Sequence, residues 1–309
     1  MPERMPRPRV VVVGDLVVDV VLAPATELET GTDVPGRVML RQGGSATTSA
    51  RWLGRNGARV SLIAAVGRDA AGRALVRTIR GDGVTPHVAR IAGRPTGRVG
   101  VFVAPGGERS FVQDRGAALH LAPEYLRKEW FAAADLVHIP AYSLLDHPLG
   151  DAGKRAAELG HAAGALVTVD LSSAGPLLAI GRQAGIGVVR GAQPDLLFAA
   201  GAEARALAES DEALLDIAPI VVLKRGPKGA TILFREGTAV RTLEVAAKPV
   251  DASDTTGAGD AFNAGFILGW LAARGHGEST EAGLRHGAIS GHRVATRQLL
   301  RPREELVFG

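Results

Sequence analysis

Not one cysteine occurs among the 309 residues. Disulfides, thiolate nucleophiles and cysteine-based zinc sites are therefore excluded, and any catalysis falls to oxygen and nitrogen groups. Aromatic residues are scarce, at 4%, and the formal charge of +4 comes from arginines scattered along the chain. With no basic tract and few rings on which to stack bases, nucleic-acid binding is not expected. The scattered arginines fit a solvated surface, or mild steering of anionic substrates such as nucleotides. A long uncharged apolar run is also missing. The valine-rich start VVVVGDLVVDVVL is interrupted by Asp15 and Asp19, unlike a signal-peptide core or a membrane span, so no membrane partner and a cytoplasmic location are expected.

What is present suits one large core. Hydrophobic residues make up 46% and charged residues 22%, and no Ser/Gly/Pro-rich linker divides the chain, so residues 1–309 are expected to form one principal domain. The valines from Arg9 to Val13 read as a strand buried on both faces. Further strands are predicted at Val60 to Ala65, Leu136 to Ile139, Leu166 to Asp170, Asp195 to Phe198, Ile220 to Lys224 and Thr231 to Phe234, with helical stretches such as Asp151 to Ala163 between several of them. This alternation predicts an α/β fold, a doubly wound and mostly parallel sheet with helices on both faces. Two segments differ in character. Arg98 to Val103 and Arg109 to Gln113 alternate bulky and polar residues around Pro105-Gly106-Gly107, a hairpin pattern. Val21 to Arg41 is similarly turn-rich. Together, residues 21–41 and 97–115 are expected to form a small β-rich lid beside the main sheet.

The most informative stretch is VDASDTTGAGDAFNAGFILGWLAARG, from Val250 to Gly275. Phe262, Phe266 and Trp270 fall at helical spacing, so a buried helix starts near Gly257. Unpaired amides at a helix start, with the positive end of the helix dipole behind them, make a site for an anion, and Gly257-Ala258-Gly259 lets a bound group approach closely. Asp260 then places a carboxylate beside that anion hole. A base acting on a hydroxyl that attacks a phosphate would explain it. The alternative is structural, with Asp254 and Thr255 capping the helix and Asp260 complementing its dipole. No Gly-Lys-Ser/Thr string completes a Walker A loop. The dinucleotide fingerprint fails as well, because Phe262 stands where its third glycine belongs. Asp15, at the carboxyl end of the first strand, sits where open α/β sheets bind ligands, although Gly14-Asp15 also suits a plain turn.

DTTGAGDAFNAGF resembles the C-terminal signature of the ribokinase-like (PfkB) carbohydrate kinases, and GGSATTSARWLGRNGARV resembles their N-terminal glycine-pair signature. The order fits from Val10 to about Gly309. The resemblance implies ATP-dependent phosphoryl transfer to a sugar or nucleoside. Asp260 would be the general base, and the amides of Gly257, Ala258 and Gly259 would hold the phosphoryl group. It implies that Asp15 binds sugar hydroxyls and that Gly43 and Gly44 let the loop close over the sugar. The stretch VVLKRGPKGA looks like the nucleotide-side strand and turn, with Lys224, Gly226 and Gly229 near ATP. Asp254 and Thr255 resemble residues that in many members help bind potassium. Arg115 would reach from the lid to the substrate, or else pair with Asp114. A homodimer joined through lid edges is a further expectation.

Two positions depart from the family pattern. Thr48 replaces a usual Asn, which keeps a hydroxyl but loses an amide's paired donor and acceptor. In DLLFAAGAEARAL, Ala200 replaces the Asn of an Asn-x-x-Glu segment. Magnesium would then rely on Glu203, phosphates and waters, unless Glu203 is an ordinary solvated helix residue. These losses keep open a non-catalytic relative that senses a sugar or nucleotide.

Overall fold

Runs of Val, Ile and Leu bounded by glycine or a charged residue become the central strands, because a strand covered on both faces needs apolar side chains at every position. The computed structural model describes residues 7–252, 254–301 and 304–308. The chain begins with β1 (Arg9–Val13), β2 (Val17–Pro24), β3 (Gly36–Gly43), α1 (Ser45–Arg55), β4 (Arg59–Gly67), α2 (Ala70–Gly81) and β5 (Val84–Ile91). A hairpin of β6 (Thr96–Val103) and β7 (Arg109–Gly116) follows. The second half runs through β8 (Leu136–Pro140), α3 (Tyr142–Leu145), α4 (Leu149–Ala162), β9 (Leu166–Asp170), α5 (Ala174–Ala179) and α6 (Arg182–Gly191). It continues with β10 (Leu196–Ala200), α7 (Gly201–Leu207), β11 (Ile220–Lys224), β12 (Ala230–Glu236), β13 (Ala239–Val245), α8 (Ala258–Gly275) and α9 (Thr280–Leu300).

Nine strands form one sheet in the order β13-β12-β11-β10-β9-β8-β1-β4-β5. All pairs from β11 to β5 are parallel, and β12 and β13 add antiparallel edge strands. Successive residues of β1 feed opposite layers. Val10 and Val12 join the core under α1, α2, α8 and α9, whereas Val11 and Val13 join the core under α4, α6 and α7. This is the doubly wound arrangement that the alternation predicted. The order reverses at β1, whose neighbours are β4 on one side and β8 on the other. At such a switch point the loops leaving the carboxyl ends diverge and open a crevice.

The helix that matters most, α8, is held by its aromatic face. Phe266 is fully buried and meets Phe198 of β10 edge to face, with centroids 5.3 Å apart. Truncating Phe266 to Ala would cost about 3–5 kcal/mol, so the first turn of α8 is presented to the crevice from a rigid mount.

β3, β2, β6 and β7 form a separate four-stranded sheet around a small core of Val21, Met39 and Val101. It is mixed: β2 pairs antiparallel with β3 but parallel with β6. It begins at Val17, four residues before the expected start at 21, because Leu16-Val17-Val18 continues the apolar run of β1 and hides the break at Gly14-Asp15. One edge of this sheet is already covered. Leu306 N–H donates to Leu40 O at 2.7 Å, beside an Arg41–Glu305 bridge.

Candidate active site

A cavity of about 460 Å³ opens at the switch point, between the carboxyl ends of the main strands and the underside of the small sheet. On one side lies Asp15, only 7% exposed, whose Oδ1 accepts from Ala46 N–H at 3.3 Å and whose carbonyl accepts from Thr47 Oγ1 at 2.7 Å. Gly44 has φ +102°, and a Cβ there would lie 2.6 Å from Asp15 O. The glycine is thus what allows β3 to turn into α1 directly against Asp15. Gly43 does not line the cavity. A side chain at Gly43 would collide with the carboxylate of Asp19, a buried lid residue that does line it. Thr48 is on the wall, with its hydroxyl donating back to Gly44 O at 2.9 Å.

At the cavity floor, Gly257 caps α8 in the left-handed region at φ +75°. Thr256 O, the natural acceptor for an amide of the first turn, is occupied by Gln298 Nε2 at 2.8 Å. Among the described residues, the amides of Gly259 and Asp260 have no backbone acceptor. Ala258 N–H differs from the expectation, since it closes a turn onto Thr255 O at 3.2 Å. The first-turn amides without a backbone acceptor among the described residues are therefore its neighbours. Asp260 follows at the third helical position and accepts from Ser45 Oγ at 2.5 Å.

Asp170, at the end of β9, sits at the centre of the charge pattern. It is 1% exposed, accepts from Lys224 Nζ at 2.7 Å and from Asn263 Nδ2 at 2.8 Å, and lines the cavity. Burial and the Asp170 charge hold the Asp260 carboxyl well above the usual aspartate range, against the pull of the Ser45 hydrogen bond and Lys224. Burial also pushes Glu203 up, with Lys224 opposing it. Burial alone would lower the Lys224 ammonium, but the charges of Asp170 and Glu203 outweigh it and raise it. One ammonium thus stands among three carboxyl groups, two of which burial pushes toward their neutral forms.

Most of the expected residues meet here. Asp15, Gly44, Thr48, Arg115, Glu203, Lys224, Gly226, Thr255, Gly257, Gly259 and Asp260 all border this cavity. Gly229 does not. It has φ +107° and lies against the backbone of Val245 and Ala246, so its role is to turn β11 into β12. Glu203 is buried rather than solvated, and its Oε2 accepts from Ala200 N–H at 2.6 Å at the start of α7. Arg115 does not pair with Asp114, which bonds Arg98. Its Nη1 instead donates to Tyr142 O at 3.1 Å, and its guanidinium lies 5.4 Å from the centre of the Tyr142 ring. Asp254 and Thr255 are both engaged by lid arginines.

Sequence reasoning missed Asp170, Ser45 and Arg109, and left Asp19 open between a substrate contact and a surface residue; it is buried and lines the cavity. A signal for Asp170 was available: the strand predicted from Leu166 ends on it, just as the first strand ends beside Asp15. Asn263, a buried polar residue three positions after Asp260 on an apolar helix, was a second signal.

The family model described as pfkB family carbohydrate kinase matches residues 7–301. A fructokinase of Klebsiella pneumoniae is 30% identical over 276 residues, which cover 85% of this chain and 84% of the fructokinase. Adenosine kinase from Sinorhizobium meliloti superposes with a TM-score of 0.82 at 25% identity, over 98% of this chain and 97% of its own. An E. coli structure described as a ribokinase II, solved with ATP and Mg2+, shares the fold at a TM-score of 0.76 and 22% identity, over 96% and 94% of the two chains.

Proposed function

The chain belongs to the pfkB family of carbohydrate kinases, and from that membership we propose that it transfers the γ-phosphoryl group of ATP to a primary hydroxyl of a furanose-type sugar or nucleoside. The observation that carries the proposal is the first turn of α8, where amides at Gly259 and Asp260, without backbone acceptors among the described residues, adjoin the Asp260 carboxyl group in the cavity that Asp15 also lines. Asp15 and Asp19 hold acceptor hydroxyls. The acceptor oxygen forms a bond to the γ-phosphorus, the bond to the β–γ bridging oxygen breaks, and the acceptor proton passes to Asp260. The Ser45 hydrogen bond fixes the orientation of the receiving carboxylate. Lys224 and the turn amides face the charge that develops on the phosphoryl oxygens.

The donor set also fits magnesium. Asp170, Glu203 and Asp260 bring carboxyl oxygens to the cavity beside Lys224, while no group of three or more His, Cys, Asp or Glu among the described residues is placed to cage a metal by itself. A magnesium ion held by Glu203, phosphates and waters suits that arrangement. When bound, it would neutralise phosphate charge. Potassium at Asp254 and Thr255 is proposed only as a subject for ion exchange, since both side chains already meet guanidinium groups. A homodimer would use the β7 edge with exposed Phe111 and Val112, because the β3 edge is covered.

A coupled ADP-release assay with MgATP over ribose, fructose, 2-keto-3-deoxygluconate, adenosine and other nucleosides tests the proposal. At least one acceptor is expected to raise ADP release well above the acceptor-free rate. Saturable acceptor binding without ADP from any of them would overturn transfer and favour a sensor.

A further inference from the structure

Arg41 and Arg109 lie on β3 and β7, the two outer strands of the small sheet. Both guanidinium groups nevertheless converge on one carboxylate that lies outside that sheet. Arg41 Nη1 lies 3.1 Å from Asp254 Oδ2, and Arg109 Nη2 lies 3.2 Å from Asp254 Oδ1. Arg109 Nη1 also donates to Thr255 Oγ1 at 2.8 Å. The two arginine side chains are 14% and 12% exposed. The Asp254 carboxylate is 36% exposed, but one carboxylate shared by two partly buried guanidinium groups holds geometry better than a single solvated surface pair.

What these arginines grip is the turn that shapes the anion hole. Asp254 Oδ1 accepts from Thr256 N–H at 2.9 Å, and Thr255 O accepts from Ala258 N–H at 3.2 Å. The far side of the turn is tied to the helical layer. Gln298 of α9 donates to Thr256 O at 2.8 Å, and Trp52 of α1 donates to Gln298 Oε1 at 2.8 Å. The segment leading to Gly257, Gly259 and Asp260 is therefore clamped between the lid and the main body. Among the described residues, lifting the lid would leave the contacts of the body side.

We infer that Arg41 and Arg109 are positioning residues for phosphoryl transfer, making the shape of the turn before α8 depend on closure of the lid. The amides at the α8 start and the Asp260 carboxylate reach their working geometry only when the acceptor cavity is shut. Two attachment points on opposite edges of a stiff sheet register its whole orientation, which one contact could not do. Closure thus couples exclusion of water to assembly of the anion hole. The inference rests on the kinase reading for its functional meaning. The mechanical coupling is separately measurable.

Hydrogen exchange on the full chain reads that coupling. In R41M and in R109M, peptides spanning residues 254–262 are expected to exchange about tenfold faster than in the wild type, the scale of losing one charge-assisted hydrogen bond. R98Q, which breaks the exposed Arg98–Asp114 pair in the same sheet, should leave them unchanged. With an acceptor from the panel, R41M and R109M should lower kcat about tenfold with KM for ATP within about threefold. R109K should recover part of the loss. D254N attacks the clamp from the other side, and R41M/D254N should be no worse than D254N alone, because the Arg41 ion pair is with Asp254. Unaltered exchange in both arginine variants overturns the coupling whatever the turnover, as does a double variant whose losses multiply. A wild type that phosphorylates nothing while its variants exchange faster would instead strike the kinase reading and leave the coupling standing.

Discussion

Replacing Asp260 by Asn preserves the side-chain shape and an oxygen for Ser45 to donate to, but it removes the proposed proton acceptor. General base catalysis is worth about 100- to 10,000-fold, or about 3–5 kcal/mol of barrier. Turnover by D260N at saturating MgATP and acceptor should fall by that factor, measured by ADP release, while ATP binding measured by calorimetry persists. The same substitution should not weaken the fold. Burial and Asp170 hold the Asp260 carboxyl well above the usual range. The ionised form is therefore disfavoured in the folded chain relative to the unfolded one, and this penalty applies above the unfolded-state pKa. Removing the charge should therefore raise Tm at neutral pH. Turnover within tenfold of wild type would refute the base assignment. Lost turnover with a lowered Tm would make Asp260 a structural residue.

Three other substitutions probe the surrounding cavity and core. D170N removes a charge that raises the Asp260 carboxyl, so the acid limb of kcat/KM should move to lower pH; an unmoved limb would separate the two groups. G44A forces a Cβ against Asp15 O at φ +102°, a strain of about 1–3 kcal/mol; KM for the acceptor should rise with KM for ATP unchanged, and an unaffected acceptor KM would remove Asp15 from the acceptor side. Burial holds His138 down at about 4 from 6.5, so the unfolded chain binds the proton first as pH falls. Urea denaturation should therefore show stability that is full above pH 6.5 and declines by about 3 kcal/mol on approaching pH 4, and H138N should lessen that decline.

The parts of the fold legible in the sequence are those with a local cause. Leu166–Asp170 and Ile220–Lys224 are strands with the expected bounds, because a strand covered on both faces is an unbroken apolar run ended by a polar residue. The long helix α9 carries no such signal. Its packing face toward α8 includes glycines: a Cβ at Gly291 would press on the Phe262 ring at 2.8 Å, and one at Gly287 on Phe266 at 3.1 Å. Residues without side chains make a close helix contact that no hydropathy pattern marks.

The candidate site divides in the same way. Strand ends place Asp15 and Lys224, the glycine pair bends the chain into α1, and Gly257 to Asp260 form a helix start. Each of these follows from short-range backbone preference, and the motifs they carry resemble the PfkB signatures, so the sequence by itself determined the family. Only the tertiary structure decided which groups act on one another. Ser45 meets Asp260 across 215 residues, Arg41 meets Asp254 across 213, and Asp170 meets Lys224 across 54. The proton affinity of Asp260 depends on burial and on neighbours brought by other strands, and a guanidinium finds its carboxylate only after two sheets have packed, a placement that no local sequence pattern encodes.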